Sequence, residues 1–286
     1  MADSYSDRVS DSYRIKKLDV EDDIPESFFI IVAGKSKSGK GVWSARLLER
    51  LIRMNRLKPK NAYLYSSSAD VQKDSFPCIK NNRYTEFDDQ QIMDIMDENA
   101  ELIKADLKKG KTKAQALKDH ALLFVIDDLA YGPVHKSKSL SIIATAGRHR
   151  GVSCVLLTQA LSSAVKPIVR KNASLIVSYP TISQKVMRLL IEEYGLMSLG
   201  NMSFREARAF LMNIWQSKSY TALVILQFRT DVRKFQDMFR FDRVVHDIDK
   251  TTRYLEKHQL DKVKKDEEPK QNNNDTIFRR APRVKK

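Results

Sequence analysis

The chain has 286 residues, 42% of them hydrophobic and 30% charged, which suits one sizeable buried core or two small ones and excludes a wholly disordered protein. Lysine and arginine number 51 against 36 aspartates and glutamates, a formal net charge of +15. A surplus of that size favours a polyanionic partner, because each neutralised phosphate releases condensed counterions; a basic tail serving solubility is the plainer alternative.

The opening residues, Met1 to Asp11, are polar and acidic and lack the apolar run of a signal peptide. The apolar runs Phe28–Ala33 and Ala121–Ile126 fall far short of the roughly 20 residues of a bilayer span. The sequence therefore predicts a soluble chain that is not exported and has no transmembrane segment. Cys78 and Cys154 have neither disulfide-framework nor metal-ligand spacing, and Cys154, within an apolar run, reads as an inert core thiol.

Residues 1–24 carry mixed charge with little periodicity and are expected to be a flexible arm. A buried strand is predicted at Phe28–Ala33, then a glycine-containing turn, then a helix from Lys40 to Met54 whose Leu47, Leu48, Leu51 and Ile52 make one apolar face. Asn61–Tyr65 reads as a second strand, and Phe87–Leu117 as a charged helical stretch. Further buried strands are predicted at Leu122–Ile126, Val152–Leu157, Ser174–Tyr179 and Ala222–Phe228, with helices around Ser183–Tyr194 and Phe204–Asn213. Near-continuous apolar strands alternating with helices indicate an α/β fold, a mostly parallel sheet covered by helices on both faces. Residues 246–286 read as a helical extension passing into a basic tail, Lys262–Lys286, so both termini are expected to be flexible.

Gly34-Lys35-Ser36-Lys37-Ser38-Gly39-Lys40 has the spacing G-x-x-x-x-G-K between a predicted strand and a predicted helix, the context in which the pattern marks a phosphate-binding loop. Glycines let successive backbone N–H groups face phosphate oxygens, the helix N-terminus adds a favourable dipole, and Lys40 reaches the β- and γ-phosphates. ATP is the expected ligand, and residues 25–245 form the P-loop ATPase domain. Gly41 stands where a Ser or Thr hydroxyl usually coordinates Mg²⁺. A water taking that coordination position, weak metal binding, and nucleotide binding without hydrolysis are the readings this leaves open.

The strand Leu122–Ile126 runs into Asp127-Asp128, and ligands of open α/β sheets bind at carboxyl strand ends. Asp127 is expected to hold Mg²⁺, directly or through water, and Asp128 to orient or deprotonate the attacking water. After Val152–Leu157 come Thr158 and Gln159; the Gln159 amide can donate to phosphate and accept from water, and it is the favoured sensor of the γ-phosphate. Arg148, in Gly147–Gly151, and Arg170 are candidate fingers on a neighbouring subunit's nucleotide, with solvation or DNA-backbone contact as the competing role. His149 has no metal partner at useful spacing.

These features, in this order, resemble the FtsK–HerA superfamily of DNA-pumping ATPases, in particular the poxvirus-type genome-packaging ATPases of large DNA viruses and their virophage and transposon relatives. The resemblance rests on Gly34–Lys40, Asp127-Asp128, the run Gly147-Arg148-His149-Arg150-Gly151-Val152-Ser153, Leu157-Thr158-Gln159 and Arg170-Lys171-Asn172, and spans Phe28 to Phe228. It implies a RecA-like core, a homo-oligomeric ring, and ATP-driven threading of double-stranded DNA into a preformed capsid. Capsid or portal and vertex proteins are the implied partners, and the virion or the infected cell the implied location. Within it Gln159 is the sensor, and a downstream arginine, Arg170 or Arg148, completes the neighbouring site. Two other readings stand beside this one. One is a nucleotide-gated nucleic-acid-binding or capsid-assembly factor with weak ATPase, favoured by Gly41. The other is a structural basic protein with a vestigial nucleotide site, opposed by Asp127-Asp128.

Overall fold

The computed structural model describes residues 18–70, 75–127, 133–159, 161–163, 165–194, 203–216, 221–227 and 231–235. In chain order its elements are α1 (Val20–Asp23), β1 (Phe29–Ala33), α2 (Lys40–Arg53), β2 (Ala62–Ser66), β3 (Arg83–Tyr84), α3 (Asp89–Lys108), α4 (Lys113–Asp119) and β4 (Leu122–Asp127). There follow α5 (Lys138–Arg150), β5 (Val152–Thr158), α6 (Pro167–Asn172), β6 (Leu175–Ser178), α7 (Gln184–Arg188), a π-helical turn (Leu189–Glu193), α8 (Phe204–Gln216), β7 (Ala222–Leu226) and β8 (Asp231–Phe235).

The eight strands lie in the order β3-β2-β4-β5-β1-β6-β7-β8. Every pairing from β3 through β6 is parallel, and β7 and β8 add an antiparallel edge. Helices cover both faces, which explains why the central strands read as unbroken apolar runs. Alternate residues of one strand enter different cores: Phe29 and Ile31 of β1 pack with Phe124, Ile126, Cys154 and Leu156 on one face. Ile30 and Val32 pack with Val125, Val155 and Leu157 on the other. That second face is closed by Trp43, Leu47, Leu48 and Leu51 of α2, spaced to form one helical stripe. Cys154 is wholly buried, and loss of solvation pushes its thiol far up, as an inert core residue requires.

The expected arm is corrected at its inner end. Leu18, Val20 and Ile24 are buried in the core beneath α2, and Asp19 caps α1, so the folded domain begins by residue 18. Residues 1–17 and the expected extension and tail, 246–286, lie outside the described residues. The single charged helical stretch expected over Phe87–Leu117 is two helices. Gly110, at φ +87°, ends α3 in the left-handed conformation that only glycine adopts without strain. α5 is a helix the apolar periodicity did not announce, because small residues such as Ser139, Ser141, Ala144, Ala146 and Gly147 interrupt its apolar stripe.

Candidate active site

The carboxyl ends of the parallel strands line one edge of the sheet. Along it lie Ser66 of β2, Asp127 of β4, Thr158 ending β5 with Gln159 after it, the Gly34 loop after β1, and Tyr179 after β6. Asp127 ends a strand two places from β1, so strand spacing puts the two ends about 10 Å apart. Gln159 leaves the strand between them. The sheet thus brings Gly34–Gly41, Asp127 and Gln159 to one edge. Asp128 lies outside the described residues.

The loop is built around close approaches. The Gly34 N–H donates to the Thr158 carbonyl at 3.1 Å, tying the loop to the end of β5. A Cβ on Gly34 would stand 2.7 Å from Ser38 Oγ and 2.7 Å from Tyr179 Cβ, so no larger residue fits there. Lys37 and Gly39 both have left-handed φ, 60° and 99°, which turns the chain into α2. Gly39 supplies no side-chain cap, so the first turn of α2 lacks the side-chain oxygen that usually meets its amides. The Lys40 ammonium, on a residue only 6% exposed, donates to the Gly34 and Lys35 carbonyls at 2.8 Å each. Ser38 Oγ is buried within the loop without a hydrogen-bond partner. These features fit phosphate oxygens: uncapped amides, a buried ammonium and an unsatisfied hydroxyl converge on one concave loop.

The fit to Mg²⁺ is narrower. Gly41 has no hydroxyl, and a Cβ there would meet nothing within 4 Å, so the loop has room for a side chain it lacks. Among the described residues no cluster of three or more His, Cys, Asp or Glu forms a metal site. Asp127, half-buried at the end of β4, places a carboxylate on the edge that carries the loop.

Arg170 is engaged within its own chain. It is 7% exposed, and its guanidinium grips Glu193 at both ends, Nε to Oε1 at 3.3 Å and Nη2 to Oε2 at 3.2 Å. Nη1 donates to the Val165 carbonyl at 2.7 Å and the Ser162 carbonyl at 3.4 Å. A guanidinium holding four acceptors of its own chain clamps the segment after Gln159 to the π-helical turn, an arrangement that weighs against the expected reach to a neighbour's nucleotide. Arg148 is exposed at the end of α5, donating from Nε to His149 Nε2 at 3.2 Å. It lies at the opposite edge of the sheet, about 20 Å along β5 from its own phosphate loop. Any contact of Arg148 with nucleotide therefore has to be made on another subunit.

Tyr179, Glu193 and Asp89 are site-shaping residues that sequence reasoning missed. Tyr179 packs over Gly34 and donates its hydroxyl to the Gly39 carbonyl at 3.4 Å; it could have been found as the polar residue ending a strand beside the loop. Asp89 accepts from the Lys138 and Ser139 amides at 3.0 and 3.1 Å and from both flanking serine hydroxyls, fixing the start of α5 just past the Asp127 strand. Partial burial works against its charge, but these hydrogen bonds outweigh it and hold the carboxyl below the usual range. No local sequence signal announces the Asp89 or Glu193 contact, since each partner lies more than 20 residues away.

A model of the family described as Poxvirus A32 protein matches residues 15–244. No curated protein matches the sequence. Among solved structures, the genome packaging NTPase B204 of Sulfolobus turreted icosahedral virus 2, in complex with AMP, is 16% identical at a TM-score of 0.50, covering 74% of this chain and 98% of that one. The pCW3 conjugation coupling protein TcpA, a monomer form with ATPγS, is 19% identical at a TM-score of 0.52, covering 81% of this chain and 65% of its own. EssC (ATPases 2 and 3) from Geobacillus thermodenitrificans is 14% identical at 0.50, covering 83% and 44%. At such identities the likeness shows a common fold, the RecA-like P-loop core.

Proposed function

The chain belongs to the poxvirus A32 protein family, the genome-packaging P-loop ATPases that its motifs resemble, and from that premise we propose that it is the subunit of a ring motor driving double-stranded DNA into a preformed capsid. The observation that carries the reading is the convergence, on one sheet edge, of a glycine-tight loop, a buried Lys40, Asp127 and Gln159. Lys40 and the first amides of α2 would hold the β- and γ-phosphates. Asp127 would hold Mg²⁺, whose chemistry is to neutralise charge on the phosphate oxygens. Asp128 would orient or deprotonate the attacking water, and Gln159 would register the γ-phosphate. Arg148 of an adjoining subunit would supply the finger. The net charge of +15, with the basic residues 262–286, suits a nucleic-acid track. Capsid or vertex proteins are the further partners in this reading, the virion or the infected cell its setting. Among the described residues no helix is long and apolar enough to cross a membrane.

Gly41 favours a second reading, a nucleotide-gated nucleic-acid-binding or assembly factor with weak turnover. Steady-state ATP hydrolysis with and without duplex DNA separates the two. A motor should hydrolyse ATP with metal and accelerate on duplex. Slow hydrolysis indifferent to duplex, with nucleotide still bound, would leave the switch.

A further inference from the structure

The basic surplus is not confined to residues 262–286. Six residues joining α3 to α4, Lys108-Lys109-Gly110-Lys111-Thr112-Lys113, hold four lysines and no acid, and all six are exposed. The placement of this turn follows from α3. Asn99 Nδ2 donates to the His120 carbonyl at 3.0 Å, which sets that point of the helix level with the entry to β4, at the amino edge of the sheet. The nine further residues to Lys108 carry α3 about 14 Å beyond that edge. The apex therefore projects from the side opposite the phosphate loop, the same side as Arg148 and Arg150 at the end of α5.

The apex is rigidly built. The Gly110 N–H donates to the Leu107 carbonyl at 3.0 Å and the Lys111 N–H to the Asp106 carbonyl at 3.1 Å, a Schellman closure of α3. Thr112 caps α4 through the Gln115 amide at 3.3 Å. Lys111 is pinned between Asp106 at 2.6 Å and Asp119 at 3.0 Å, and His120 also meets Asp106. The acids of the hairpin base are thereby engaged, while Lys108, Lys109 and Lys113 form no ion pair among the described residues.

Local helix energetics accounts for only part of this cluster. The end of α3 accommodates Lys108 and Lys109 through its dipole, but Lys113 is the first residue of α4, whose first turn holds no acid, and there the dipole opposes a cation. Four lysines within six residues repel one another besides. Lys113 set against the α4 dipole, among like charges on a braced, solvent-facing turn, fits a recognition role.

We propose that this apex is a backbone-phosphate contact of the folded domain, through which Lys108, Lys109 and Lys113 grip duplex DNA on the edge away from the nucleotide. It rests on the reading above that duplex is the partner. The competing occupant is an acidic protein surface.

The test uses the full chain carrying Lys108→Ser, Lys109→Ser and Lys113→Ser together, with a labelled duplex titrated across a salt series. Each lost contact removes about 0.9 from the slope of log affinity against log salt, so the slope should shrink by about 2 to 3. Binding of a fluorescent ATP analogue and the melting temperature should hold, since the side chains are exposed and remote from the loop. A variant with the parent slope overturns the inference alone. Retained duplex slope with lost binding to polyglutamate also overturns it, and assigns the apex to acidic protein. Failure of the parent itself to bind duplex at low salt would bring down the DNA reading, and this inference with it.

Discussion

Two helices begin at the same edge of the sheet and treat their N-termini in opposite ways. α5 receives an anion from its own chain: the Asp89 carboxylate takes the Lys138 and Ser139 amides, and Ser137 Oγ takes the Leu140 amide at 3.0 Å. α2 starts at Gly39, which has no side chain to cap it, beside a buried lysine. Both ends attract negative charge through the N–H groups of their first turns and the helix dipole. The difference is where that charge comes from. A terminus filled by a protein carboxylate is fixed structure, whereas one left without a side-chain cap beneath a glycine-tight loop is arranged for an external anion. The same division separates the arginines, with Arg170 committed to Glu193 and Arg148 exposed.

The largest effect that would break this contrast lies across a subunit boundary. An arginine delivered in trans contributes roughly 10³–10⁵ in rate. Arg148→Ala should therefore abolish measurable hydrolysis while nucleotide still binds, and Lys40→Ala should abolish it by losing the nucleotide. Mixed together, the two dead variants should regain activity, because some interfaces pair an intact loop with an intact Arg148. Arg170→Ala should give no such rescue. Its loss leaves Glu193 without its cation, and unfolding at a lower temperature is the expected result, of the order of 2–4 kcal/mol once the partial exposure of the glutamate is allowed for. Rescue by Arg170→Ala with an unchanged melting temperature would return the finger to that residue.

A smaller effect sharpens the α5 side. Replacing Asp89 with Ala removes a helix cap and should cost about 1–2 kcal/mol in denaturant unfolding. Its folded carboxyl lies below the usual range, so its contribution is present above the unfolded value near 3.9 and fades as pH falls through the folded one. The gap in stability between parent and Asp89→Asn should accordingly be constant at neutral pH and close only in acid below about pH 4. A gap that closed nearer neutrality would mean that another group sets it.

Much of this was legible beforehand where chemistry and chain order coincide. The strand, loop and helix around Lys40 could be read because each carries its own local pattern, and the strand ending in Asp127 because both of its faces are apolar. α5 went unread although Ser137 and Gly151 bracket it as cap residues, since its small residues blur the 3.6-residue period. The packing of Val20 beneath α2 and the pairing of Arg170 with Glu193 depend on contacts between distant segments. An arginine that clamps and an arginine that reaches out look alike in sequence; burial separates them.

The smallest and most discriminating change is at Gly41. The position lies in the first turn of α2, and a Cβ there meets open space, so serine can be introduced without displacing anything. Two consequences are separable. Serine is a better helix former than glycine by about 0.5 kcal/mol, so a slight rise in melting temperature is expected whether or not nucleotide is present. If the missing hydroxyl is what limits metal handling, Gly41→Ser should also lower the Mg²⁺ concentration needed for half-maximal ATP-analogue binding about threefold to tenfold, in keeping with a contact of roughly 0.5–1.5 kcal/mol. That shift should vanish when nucleotide is titrated in chelator, whereas the helix effect should persist. A melting temperature that rises with no change in metal dependence would show that water already serves at this position, and that glycine there costs the ATPase nothing but a little helix stability.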